Sequence, residues 1–215
     1  ALINITVNNP TGSPSSLTLD RFTQFTTTVN GTSFTFLNIE PKTISPSNNE
    51  YVFENIQLVE GTQKDFNFVV VEPGPSEKFI LPDTDIDTST MLVTVQTSAT
   101  DTTTETFTLA TDTSNVTSTS KVYFLEETPF NTYEIFFGDD IIGKKLTAKN
   151  VVKVRYLTVS GTSSNSSNTT TQNFTTTSIG GSSDLDITTI TNSNAGAAKE
   201  GITSIKFNAP KVNAA

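Results

Sequence analysis

The chain has 215 residues and a net charge of −9, from 22 acidic and 13 basic side chains, which is enough chain for one large or two ordinary domains with a sizeable core. So few Lys and Arg argue against a surface that grips a phosphate backbone, so nucleic acid is not an expected partner. Neither His nor Cys occurs, which excludes imidazole bases and ligands, thiolate nucleophiles and disulfides from this chain.

Low charge, abundant Thr, Ser and Asn, and 15 Phe without Trp favour β-structure with threonine on exposed strand faces. No apolar run reaches bilayer length, and the opening Ala-Leu-Ile-Asn-Ile-Thr-Val carries no basic leader pattern, so direct membrane contact is not expected. The chain starts without Met inside a strand pattern, and reads as an internal part of a longer polypeptide.

In chain order, Leu2, Ile3, Ile5 and Val7 open a strand that stops at the turn formers Asn8 to Pro14. Leu17, Leu19, Phe22, Phe25 and Thr26 to Val29 give the next strands. Asn30-Gly31 then predicts a type I′ hairpin turn into Ser33 to Leu37. Strands follow at Tyr51 to Leu58 and Phe66 to Val71, with Glu60-Gly61-Thr62 as the turn between them. Pro73-Gly74-Pro75 can continue neither a helix nor a central strand and marks the expected domain boundary.

Beyond it, Lys78 to Leu81, Ile86 to Val95, Phe107 to Leu109 and Val122 to Leu125 supply strands, with Val116 in the run that leads to the last of these. The stretch Tyr133 to Tyr156, Y-E-I-F-F-G-D-D-I-I-G-K-K-L-T-A-K-N-V-V-K-V-R-Y, places two apolar runs around a polar middle. It predicts a long two-strand ribbon with Tyr133, Ile135 and Phe137 on one face, and Val152, Val154 and Tyr156 alternating with Lys153 and Arg155. The second domain closes near Val159.

Ser160 to Asn173 has almost no apolar content and reads as a mobile loop. Thr175 to Ile179 and Asp186 to Thr191 are strand candidates around Gly180-Gly181. Ala197 to Glu200, then Ile202, Ile205 and Phe207 before Pro210, predict one short C-terminal helix ending near Asn208. The expected fold is therefore mainly β, as two consecutive β-sandwich or barrel-like domains at 1–75 and 76–160, with 161–215 holding the polar loop, further strands and the helix.

The segment F-G-D-D-I-I-G-K-K-L followed by N-V-V-K-V-R-Y resembles the F-G-(D/N)-G-x-x-G-K-x-(L/I) segment of baseplate J-like wedge proteins of contractile-tailed bacteriophages, especially the T-even type. Asp140 stands where that segment usually has glycine, which tolerates positive φ more readily. The order of strand, D-R-F-T-x-F step, N-G hairpin and V-x-x-G-T turn is similar to that family's opening β-domain. F-I-x-P with I-D-T-S-T-M looks like its second. G-A-A-K-E-G-I-T-S-I-K-F-N-A-P resembles its G-G-x-D-x-E-S-I-x-x-I-K-x-N-A-P segment, with Glu200 in the glutamate position.

The resemblance implies a non-enzymatic virion protein of the tail baseplate, assembled in the host cytoplasm. Copies would pair and join other wedge and hub proteins in the ring around the tail hub, relaying the rearrangement that triggers sheath contraction. Its implied structural turn is Gly138, Asp139, Asp140, Gly143 and Lys144. Assembly contacts are expected at Ile202, Ile205, Phe207, Asn208 and Pro210. The alternative is an extracellular adhesin or surface-layer β-module, which accounts for the Asn-x-Ser/Thr triplets at Asn4, Asn30, Asn115, Asn165, Asn168 and Asn173. A carbohydrate-active enzyme domain is a third class.

Chemistry-bearing readings are few, and no cofactor or metal is expected. Asp83, Asp85 and Asp87 have the spacing that begins a calcium loop, but Thr88 and Thr94 occupy its glycine and glutamate positions, leaving a solvated turn. Gly138-Asp139-Asp140 superficially matches the turn of viral RNA polymerases. The competing reading is a turn whose Asp139 side chain bonds nearby amides. Glu126-Glu127, and Glu54 with Glu60, would have to converge across a cleft to act as a glycosidase pair. Lys144-Lys145 beside Asp139-Asp140 could form an inter-subunit salt-bridge patch, but reads first as an exposed local ion pair of low energetic value.

Overall fold

The computed structural model describes residues 1–47, 50–166, 171–194 and 196–197. Within them the fold is mainly β, with fourteen strands and no helix. The expected short helix, with Ile202, Ile205, Phe207, Asn208 and Pro210, lies outside the described residues.

The chain forms two compact units. Unit 1 combines Ala1–Gly61 with Ser160–Ala215, and unit 2 is Thr62–Val159. This corrects the expected division. Pro73-Gly74-Pro75 lies inside unit 2, in the loop between two of its strands, and the C-terminal stretch returns to unit 1 rather than standing apart. At the expected Glu60-Gly61-Thr62 turn, the strands on the two sides belong to different sheets.

Unit 1 holds β1 (Leu2–Val7), β2 (Leu17–Leu19), β3 (Gln24–Val29), β4 (Thr32–Asn38), β5 (Lys42–Ile44) and β6 (Tyr51–Glu60). Later strands are β7 (Thr62–Val69), β8 (Phe79–Leu81), β9 (Ile86–Gln96), β10 (Thr104–Leu109), β11 (Val122–Glu127), β12 (Tyr133–Phe137), β13 (Val151–Thr158) and β14 (Leu185–Thr191). Strands β14, β1, β6, β4 and β3 form one five-stranded half-barrel in that order, and β2 pairs with β5. The alternation of β1 buries Ile3, Ile5 and Val7 completely or nearly so. They pack with Phe25, Phe36, Phe53 and Leu58 in a shared core. Burying each such side chain contributes about 1.5–3 kcal/mol.

The β3–β4 turn has φ of 50° at Asn30 and 82° at Gly31, the two positive values of the expected type I′ geometry. Part of the expected mobile loop is packed instead. Ser164 and Gln172 are buried, and Ser193 Oγ donates to the Ser164 carbonyl at 2.5 Å while its amide donates to Gln172 Oε1 at 2.6 Å. Hydrogen bonding lets a stretch without apolar residues enter the interior. Of the strand candidates here, β14 pairs along β1, whereas the 175–179 run makes only single bridges, Thr26 with Thr175 and Ile179 with Ser182.

Unit 2 is one seven-stranded sheet in the order β7, β13, β9, β10, β11, β12, β8. It curls into a nearly closed barrel. Its edge strands meet through side chains, with Phe68 and Phe79 ring centroids 5.3 Å apart. The alternation expected for Tyr133 to Tyr156 holds, since Ile135, Phe137, Val152, Val154 and Tyr156 all lie in this core. The ribbon itself does not form. Strand β12 pairs with β11 and β8, and β13 pairs with β7 and β9. Val116 falls in turns rather than in a strand. A register shift between Arg155 and Leu157 falls on the β9 side and leaves the alternation of β13 intact, with Tyr156 in the core, and the Leu157 amide is satisfied by Thr90 Oγ1 at 3.0 Å.

Candidate functional site

The loop after β12 carries the Gly-Asp-Asp-Ile-Ile-Gly-Lys-Lys run, and its backbone folds back on itself. Asp139 Oδ1 accepts the amides of Ile141 and Ile142, each at 2.9 Å. These bonds, that to Ile142 foremost, hold the Asp139 carboxyl below its ordinary range. The Asp140 amide donates to the Gly143 carbonyl at 3.0 Å. The Gly143 and Lys144 amides donate to the carbonyls of Thr117 and Ser120 at 3.0 and 2.8 Å, which anchors the loop to the stretch before β11.

Both glycines are required by geometry. At Gly143 φ is +85°, a conformation that residues with a Cβ avoid. At Gly138 an added Cβ would stand 2.2 Å from the Gly143 carbonyl oxygen and 2.5 Å from that of Ile142. Asp140 takes a φ of 69°. Its own Oδ1 accepts the Lys145 amide at 2.8 Å, a local bond of the kind that lets aspartate occupy the left-handed region.

The closed loop holds Ile141 and Ile142 out, 74% and 47% exposed. The expected Lys144 pairing within the loop is corrected. Lys144 Nζ reaches Glu105, which also receives Lys121 at 3.0 Å. Hydrogen bonds from Lys144 first, then Lys121, hold the Glu105 carboxyl below its ordinary range. Glycine at 143 turns the chain so that the Lys144 amide faces Ser120, placing its side chain beside β10 rather than beside Asp139.

The other chemistry-bearing candidates disperse into separate local bonds. Asp83 Oδ2 accepts the buried Tyr156 hydroxyl at 2.6 Å, and Asp87 Oδ1 accepts the Ser89 amide at 3.0 Å. Glu126 pairs with Lys78 at 2.9 Å, and Glu60 accepts the Ser160 amide at 2.9 Å. Among the described residues, no three carboxylates stand together as a metal-holding group. Asp139 and Asp140 each bond a backbone amide, which is the turn reading of Gly138-Asp139-Asp140.

Sequence reasoning missed one feature of unit 2. The outer face of β7, β13 and β9, with Thr104 at the start of β10, forms a shallow saddle of about 450 Å³ that includes Asp65, Leu92, Thr94, Lys153 and Arg155. Cross-strand register brings Asp65, Arg155 and Leu92 into one row and Asn67, Lys153 and Thr94 into the next. Arg155 Nε donates to Asp65 Oδ1 at 2.5 Å. The outward phase of Lys153 and Arg155 was legible, but their neighbours across the sheet depend on long-range register. No protein-family model and no curated protein matches the chain.

Proposed function

We propose that the chain is a structural, non-enzymatic part of a contractile-tail baseplate wedge. Copies of it join one another and neighbouring wedge and hub proteins in the ring around the tail hub, and take part in the rearrangement that triggers sheath contraction. Support comes first from the order of its motifs, from the D-R-F-T-x-F step to the N-A-P end.

The observation that carries the reading is the loop after β12. A turn fastened by its own carboxylates and by two anchoring amides holds adjacent isoleucines in water. Covering each would contribute up to about 1.5–3 kcal/mol, so a rigid apolar tip of this kind suits a protein contact better than a reaction. The test is electron microscopy of the full-length protein produced with the other tail proteins of its particle. Wedge- or ring-shaped particles containing it are expected. Its persistence as isolated monomers beside assembled wedges would overturn the reading.

A further inference from the structure

We infer that Asn30, at the tip of the β3–β4 hairpin, is a site of spontaneous covalent modification held in check by the turn itself. Its side chain rearranges with the Gly31 amide to give aspartate and isoaspartate, whether or not copies assemble. Asn30-Gly31 is the single Asn-Gly step in the chain, and both residues are exposed. A Cβ added at Gly31 would meet nothing within 4 Å, so no neighbouring atom obstructs ring closure there. Among the described residues the Asn30 side chain makes no hydrogen bond. Asn165, which precedes the small Ser166, is instead held at both ends of its amide, Nδ2 donating to the Gly196 carbonyl at 2.7 Å and Oδ1 accepting the Gly196 amide at 2.9 Å.

The chemistry needs only water. The Gly31 nitrogen gives its proton to hydroxide and attacks Asn30 Cγ; the new N–Cγ bond forms, the Cγ–Nδ2 bond breaks, and ammonia leaves. Water then opens the resulting five-membered imide. Cleavage of the new bond gives aspartate, and cleavage of the original peptide bond gives isoaspartate, whose main chain runs through Cβ and Cγ. Water enters and ammonia departs, with no change of oxidation state.

The turn sets the rate. The positive φ values at Asn30 and Gly31 are those of a type I′ turn, whose first central residue has a ψ of about +30°. That angle holds the Gly31 nitrogen nearly opposite the Asn30 side chain across the Cα–C bond, so attack requires the turn to open. Opening there is local. Thr28 with Ser33 and Val29 with Thr32 end the ladder, and β3 is the last strand of its sheet, touched on its far edge by the single Thr26–Thr175 bridge. The two products then diverge. Asp-Gly suits the same turn, whereas isoaspartate lengthens the main chain of a two-residue loop that sets the register of Phe25 and Val29, both buried.

The experiment incubates the full chain at mildly alkaline pH, folded in buffer and unfolded in urea, and follows each asparagine by peptide mapping with mass spectrometry. Electron-transfer fragmentation separates the two products. In urea Asn30 is expected to react faster than any other asparagine, and Gly31→Ala, whose methyl crowds the attacking nitrogen, is expected to slow it markedly. In buffer the conversion is expected to proceed, at least about tenfold more slowly than in urea. Val29→Ala, shown to be folded by its melting curve, loosens the end of the ladder and should react at a rate between the two. Thr28→Gly, on the exposed face, takes its place if that variant does not fold. Asn30→Asp should melt with wild type, and the isoaspartate form below it. The inference is overturned if Asn30 reacts as fast folded as in urea, if the folded chain never converts while the unfolded chain does, or if another asparagine outpaces it in urea. It is equally overturned if the loosened variant reacts no faster than wild type, or if the isoaspartate form melts like wild type.

Discussion

Replacing Gly138 with alanine places a methyl group where two backbone carbonyls already stand, 2.2 Å from the Gly143 oxygen and 2.5 Å from the Ile142 oxygen. Neither obstacle is the end of a flexible side chain, so the loop must open. Opening strains or breaks the Asp140 to Gly143 bond and the two amide bonds to Thr117 and Ser120. At about 0.5–1.5 kcal/mol each, three such bonds amount to roughly 1.5–4.5 kcal/mol, and overpacking alone spans about 1–3 kcal/mol. A loss of about 3 kcal/mol satisfies both ranges, and at about 4 °C per kcal/mol it lowers the melting transition of unit 2 by roughly 12 °C. Gly143→Ala is the comparison. Its methyl would meet Val122 Cγ2 at 3.1 Å and Gly138 Cα at an ordinary 3.4 Å, and the residue would have to keep a φ of +85°, which costs about 1–2 kcal/mol. Calorimetry of both variants should therefore rank Gly138→Ala as the more damaging. A Gly138→Ala protein that melts within about 2 °C of wild type would refute the close approach of the two backbone segments.

Tyr156→Phe removes the hydroxyl bond to Asp83 and should lower stability by about 1–2 kcal/mol in denaturant titration. Burial, then the Asp83 bond, raises the Tyr156 pKa from 10.0. Its stabilisation thus holds below pH 10.0 and is lost as the pH rises toward the folded value, so a titration monitored by tyrosinate absorbance should show Tyr156 ionising only on unfolding. The Glu105 carboxyl is depressed below 4.5; its stabilisation is complete above that value and disappears as the pH drops through the lower folded one. Glu105→Gln should flatten that acid loss, and salt should have the same effect on wild type. At position 140, Asn should match Asp, Gly should lie within about 1 kcal/mol of it, and Ala, which keeps the positive φ without the Lys145 bond, should be the least stable in thermal melts. Adding a chelator should leave the melting temperature unchanged, and a drop of many degrees would overturn the turn reading of Asp83 to Asp87.

The strands were legible because one face of each is buried. The alternation of Ile3, Ile5 and Val7, and of Val152, Val154 and Tyr156, follows directly from the period of two. The Asn30-Gly31 turn was legible because its backbone angles restrict the residues that fit. Pairing partners were not. Ile135 and Val154 share a core, yet their strands are separated in the sheet by β9, β10 and β11. Nothing in residues 133–156 encodes that insertion of other strands, since register arises between elements far apart in sequence. The loop's glycines signalled a turn, but the destination of Lys144 depended on Glu105, thirty-nine positions away.

The misplaced domain boundary has a physical explanation with a consequence for the site. Pro73-Gly74-Pro75 interrupts regular structure, but interruption by itself does not distinguish a linker from a loop inside one sheet. What closes unit 2 is the pairing of its first and last strands, β7 with β13, from Thr62 opposite Thr158 to Val69 opposite Val151. The ends of the inserted segment are thereby fixed side by side, so the unit needs no linker at either end. That same pairing builds two of the four strands that line the saddle. The β13–β9 pairing supplies a third, and the unbroken alternation of β13 keeps Arg155 outward while Tyr156 turns into the core. Closing the insertion and presenting its basic face are thus one structural event, so a change that loosens β7 from β13 should weaken unit 2 and the saddle together.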